Sequence, residues 1–184
     1  MKRVVCLSCV VLLLTWAFIA TPAGAQDPDE AGPNHEHLQR MSVHVGDWIA
    51  VDESGPGAPL IIKRHVEWAL DGNYLTAVTS IGREGLKTPL VHRHMVGWDS
   101  REERVRSWIF SSNGNFARGI WGGDEMMSEG RIGGLTPDGD TLSAIVQYEV
   151  VDRSTIIYRA TERMEGGVAQ ADLEWEFNRV VSAP

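Results

Sequence analysis

The sequence predicts an all-β fold: an up-and-down antiparallel β-barrel of about ten strands with one short N-terminal helix. Three observations predict it. Gly46-Asp47-Trp48 opens a long ladder of short alternating segments. Turn residues punctuate that ladder, as in Asp71-Gly72-Asn73, Ser112-Asn113-Gly114-Asn115 and Thr136-Pro137-Asp138-Gly139-Asp140. Most connections are too short for anything but antiparallel neighbours. A meander of this length closes to remove its edges, whereas a two-sheet sandwich needs longer crossovers.

The elements follow in order. Leu38, Met41 and Val45 recur at helical spacing, so residues 35–45 read as a short helix that plugs the barrel, with Asn34 at the N-cap position. Strand one runs over 46–52 and a Gly/Pro loop covers 53–57. Strand two covers 60–70 and strand three 74–81. Strand four covers 88–98, with Pro89 at its start, where a missing N–H is tolerated. Strands five to seven cover 104–111, 116–121 and 125–132. Strands eight to ten cover 141–151, 154–164 and 168–180.

The first 25 residues have the form of a secretory signal. Lys2 and Arg3 precede an apolar run from Val4 to Ala20, and Ala23-Gly24-Ala25 supplies small residues for cleavage near Ala25. The run is short for a membrane span. The expected location is secreted or periplasmic, with no membrane insertion after cleavage. Residues 26–34 are polar and Pro-broken and read as a disordered leader, and residues 35–184 as one barrel domain. Both cysteines, Cys6 and Cys9, fall inside the signal, so the mature chain has no thiol chemistry. The whole chain carries a formal charge of −8, and the signal contributes only basic residues. An acidic chain without basic clusters is a poor partner for nucleic acid or anionic membrane.

Trp48 is the first candidate for a specific role. A Gly-x-Trp at the start of strand one resembles the base motif of the lipocalin superfamily. The resemblance implies that the Trp closes the barrel floor and that an Arg near the last strand stacks on it. Arg179 stands at that end of strand ten, on the same face as Trp175 and Phe177. A wider match runs through GPNHEHLQRM with VGDW, through VGWDSREERVRSWIFSSNGNFARGIWGGDE, and through LTPDGDTLSAIVQYEVVD. These segments resemble an uncharacterised lipocalin-like family of secreted bacterial proteins. That family also occurs fused behind a SnoaL-like domain, which this sequence lacks. The resemblance implies a fold and no catalytic residues. Met126-Met127 and the pair His92 and His94 depart from its pattern.

The histidines are the second candidate. His92 and His94 share one face of strand four, a spacing that can serve a metal. His65 and Glu67 would join them only if their own face turned inward. His35 and His37 lie near the leader and read as solvated. No metal and no cofactor is expected. Glu149, Glu162, Glu174 and Glu176 alternate with apolar residues, as on a solvated outer face. Ser111-Ser112 borders a turn, and no base is evident beside it. No phosphate loop, nucleophile elbow or zincin helix is present.

The aromatics are the third. Trp68, Trp98, Trp108, Tyr148 and Trp175 are the expected lining of a cavity, with His94 as its polar contact. The expected function is binding of a small hydrophobic or amphipathic molecule. The alternatives are an enzyme that uses a His or carboxylate in the same cavity, and a fully packed structural or interaction module.

Overall fold

A computed structural model describes residues 31–83 and 87–181. The proposed signal segment and most of the leader lie outside the described residues. The chain forms α1 (His35–Leu38), a 3₁₀ turn (Gln39–His44), then β1 (Gly46–Asp52), β2 (Leu60–Ala69), β3 (Tyr74–Arg83), β4 (Leu90–Asp99) and β5 (Arg104–Ser111). β6 (Phe116–Gly123), β7 (Met127–Leu135), β8 (Thr141–Val150), β9 (Thr155–Glu165), β10 (Val168–Ala169) and β11 (Leu173–Arg179) complete it. Each strand from β1 to β9 pairs antiparallel with the next. β9 pairs with β11, and β11 returns to β1, so ten strands close a ring. β10 only lengthens β9 at its hairpin end. The last expected strand is thus interrupted at residues 170–172, where the Arg163 side chain donates to the Ala171 carbonyl.

Alternation places one face of each strand inside. On β2, Ile62 and Val66 are buried while Lys63, His65 and Glu67 are exposed. On β4, His94 and Val96 are buried while Arg93 is exposed. A register shift on the β8–β9 ladder interrupts this parity. Glu162 takes φ 48° there, so Ile156, Tyr158 and Ala160 point inward before the bulge and Arg163 after it.

The helical entry differs from the expected α-helix, and the difference has a physical cause. Only one turn is α; the rest is 3₁₀, with three residues per turn. A period of three aligns Leu38, Met41 and His44, and these are the buried residues. His44 therefore takes the inward position that α spacing assigns to Val45. Asn34 makes no side-chain cap. Its N–H donates to Asn73 Oδ1 at 3.0 Å, tying the plug to the β2–β3 turn.

The plug corrects the solvated reading of His35, which is half-buried, while His37 is exposed as expected and uses one ring face as a contact. His35 lies against Trp68, with ring centroids 4.2 Å apart. His37 stacks flat on Trp98 at 4.1 Å. The N-terminal segment thus covers one end of the barrel, and the opposite end stays open.

Candidate functional site

The floor is built around one arginine. Trp48 and Arg179 are register partners on β1 and β11. The guanidinium carbon sits 4.1 Å from the centroid of the Trp48 ring system, which is 2% exposed. Arg179 also donates to the Val45 carbonyl at 2.6 Å, to Val43 at 2.9 Å and to Arg153 at 2.8 Å. Trp48 Nε1 donates to the His44 carbonyl at 2.8 Å. One cation thus joins the last strand, the first strand and the plug. Gly46 permits it: this residue has φ 125°, and a Cβ there would lie 2.5 Å from Arg179 Nη1. The Gly-x-Trp motif is a Gly that lets the arginine pass and a Trp that it covers.

Above the floor is a cavity of about 490 Å³, within the range usual for small-molecule sites. Its upper wall mixes aliphatic side chains, including Leu60, Ile81, Leu90, Ile109 and Leu142, with polar ones such as Ser111, Asn113 and Asn115. One side is an aromatic belt. Tyr158 stacks on Trp175 at 5.1 Å, Tyr148 lies 5.2 Å from Tyr158, and Trp121 lies 5.9 Å from Tyr148. Trp175 Nε1 donates to Asp52 Oδ2 at 3.2 Å, which fixes its indole. Trp121 Nε1 donates to the buried Ser107 Oγ at 2.8 Å. Gly130 makes room for that indole, because a Cβ there would come within 2.8 Å of it.

The polar groups gather deep in the barrel. Arg64 projects inward from β2 and donates to Tyr148 Oη at 2.7 Å, with its guanidinium 4.9 Å from that ring's centroid. His94 is 9% exposed, and its Nε2 has no hydrogen-bond partner among the described residues. Burial first, then the Arg64 charge and, once it is protonated in acid, His92 lower the His94 pKa from 6.5 to about 3, so the ring is neutral at pH 7. His44 lies beneath, with an edge toward Tyr148 at 5.3 Å. Burial and the nearby Arg64 and Arg179 likewise lower it to about 3. Burial also pushes the Tyr158 hydroxyl pKa up. His92 lines the cavity nearer the mouth, and its Nδ1 lies 2.6 Å from Ser111 Oγ. Ser111 therefore does face a base. The two are cross-strand partners on β4 and β5, a pairing that register alone reveals.

The expected lining residues separate into three groups. His94, Tyr148 and Trp175 line the cavity. Trp68 and Trp98 point inward at the floor end, but the plug's His35 and His37 cover them, so they belong to the seal. Trp108 is on the outer wall, because Ser107 and Ile109 hold the inward parity of β5. His65 and Glu67 face outward too. His65 lies 2.7 Å from Asp47 and 3.6 Å from Glu67, far from any shell with His92 and His94. Among the described residues no three His, Cys, Asp or Glu side chains converge. Glu149 and Glu174 pair with Arg159 on the outer face, at 2.6 and 2.7 Å.

Three lining aromatics, Trp121, Tyr158 and Phe177, and the cation Arg64 are additions to the expected lining. Arg64 had a signal: it shares the parity of Ile62, Val66 and Trp68. The chain matches no family model and no curated protein.

Proposed function

We propose that this chain is an exported binding protein whose barrel holds a small hydrophobic or amphipathic molecule. The observation that carries the reading is the cavity itself: about 490 Å³, sealed by the plug, open at the other end and walled by aliphatic and aromatic side chains. A void of that size speaks against a fully packed structural module. The signal-like N-terminus and the resemblance to secreted lipocalin-like proteins support export. Trp121 and Trp175 lie in the wall and should report occupancy. Titration with fatty acids, sterols, isoprenoids and haem should quench intrinsic fluorescence saturably, with affinity on the order of micromolar. Absence of saturable quenching across that panel rejects the reading.

One observation favours an enzymatic reading as the second. His92 and Ser111 form a 2.6 Å pair facing the cavity, the geometry of a base and a hydroxyl nucleophile. This reading expects hydrolysis of p-nitrophenyl acyl esters that Ser111→Ala abolishes. Turnover no faster than buffer rejects it.

A further inference from the structure

The cavity holds a charge that its surroundings do not balance. Arg64 forms no ion pair among the described residues; its polar partner is the neutral Tyr148 hydroxyl. The charged residues of the cavity wall are Arg64, Arg163 and Glu165. Arg163 and Glu165 belong to the stretch of β9 beyond the bulge, toward the mouth. The two wall histidines, His92 and His94, have pKa values lowered by burial and carry no charge at pH 7. A chain with formal charge −8 thus encloses a cavity of net positive charge, with its deep cation unpaired. Burying a cation costs free energy unless a counter-charge or polar partners offset it, so an unpaired one inside a binding cavity marks the place for an anion.

The surroundings narrow the anion's chemistry. Arg64 offers a planar fork suited to two carboxylate oxygens. The Tyr148 hydroxyl is beside it, and the His94 ring lines the same cavity. One deep cation matches one negative charge, whereas a phosphate dianion would bring excess charge into apolar surroundings. Arg64 stands four residues below Leu60 at the mouth, a strand distance of about 13 Å, and Ile81, Leu90, Ile109 and Leu142 offer apolar contact along the wall beside the polar His92 and Ser111. We propose that the ligand is a monocarboxylate with a single medium-length apolar chain, its carboxylate on Arg64 and Tyr148 and its tail toward the mouth. This inference rests on the cavity-binding reading and goes further by specifying the head group and its direction.

The test compares dodecanoate, dodecanol and dodecylammonium by calorimetry, each below its micelle concentration, on the mature protein and on Arg64→Met. Wild type should bind the acid about 10- to 100-fold more tightly than the alcohol, and should disfavour the amine. Arg64→Met should lose most of that preference while keeping its affinity for the alcohol. Tyr148→Phe should lose several-fold for the acid alone. The wild-type comparison stands even if the Arg64 variant fails to fold. Equal wild-type affinity for acid and alcohol overturns the carboxylate assignment and leaves the cavity-binding reading in place. Tight acid binding that survives Arg64→Met overturns it as well. If none of the three binds, this inference fails, and the cavity-binding reading is decided by the wider panel of sterols, isoprenoids and haem.

Discussion

Replacing Gly46 with Ala tests the floor more sharply than removing a large side chain. The residue has φ 125°, a conformation costing an L-residue about 1–3 kcal/mol. Its new Cβ would stand 2.5 Å from Arg179 Nη1, which already donates to Val45 at 2.6 Å. The arginine must give way, and a charged hydrogen bond of this kind is worth about 1.5–3 kcal/mol. Gly46→Ala should therefore destabilise by about 3–5 kcal/mol in urea unfolding. Arg179→Ala alone should cost about 2–4 kcal/mol through the same bonds and the lost contact with Trp48. With the arginine gone, the methyl introduced by Gly46→Ala has nothing to displace and only the backbone strain remains. The double variant should therefore be at least about 1 kcal/mol more stable than the sum of the single effects. Additivity within about 0.5 kcal/mol would refute the claim that this glycine exists to let the arginine pass.

Two further predictions concern the buried side chains. Trp48→Ala should destabilise by about 3–5 kcal/mol, as expected for a buried aromatic, and should be non-additive with Arg179→Ala. Acid should weaken the fold well before the carboxylates titrate. His44 and His94 have folded pKa values near 3 against an ordinary 6.5, so the unfolded chain binds more protons between those limits. Stability is then full above about pH 6.5 and falls as pH drops, approaching about 1.4 kcal/mol per pH unit for each histidine. His65, whose pKa is raised by its hydrogen bond to Asp47, acts in the opposite sense at an exposed site. Asp52, Asp99, Asp124 and Asp152 are held below the usual carboxylate range by hydrogen bonds, so their contribution is lost only at lower pH. His94→Gln should roughly halve the slope between about pH 6 and 5; a wild-type stability flat across that interval would contradict the burial of both rings.

Much of the barrel was legible because alternation and turn chemistry are local. Asp71-Gly72 and Pro137-Asp138-Gly139 mark hairpins wherever they occur, and most strand bounds fall within two or three residues of expectation. What faces the cavity was less legible. Trp68, Trp98 and Tyr148 share inward parity with Arg64, but sequence does not show how deep each lies, and depth decides between the seal and the wall. Trp108 failed because the phase of β5 follows Val105 and Ser107, and a small buried Ser gives no hydrophobic signal. Arg64 was overlooked because an arginine inside the polar run Lys63-Arg64-His65 is normally read as solvated, a sound rule outside a binding cavity. The bulge at Glu162 turned Arg163 inward with no local marker, since a positive φ at Glu is not announced by its side chain. The 3₁₀ turn exchanged Val45 for His44 by the small difference between three and 3.6 residues per turn.

The most direct test of the account is a crystal structure of the mature protein with a terminally brominated dodecanoate. Anomalous bromine signal is expected inside the barrel toward Leu60 and Leu90, with the carboxylate against Arg64 and Tyr148. Bromine found only on the outer wall, or a cavity filled by water alone at saturating ligand, would contradict it.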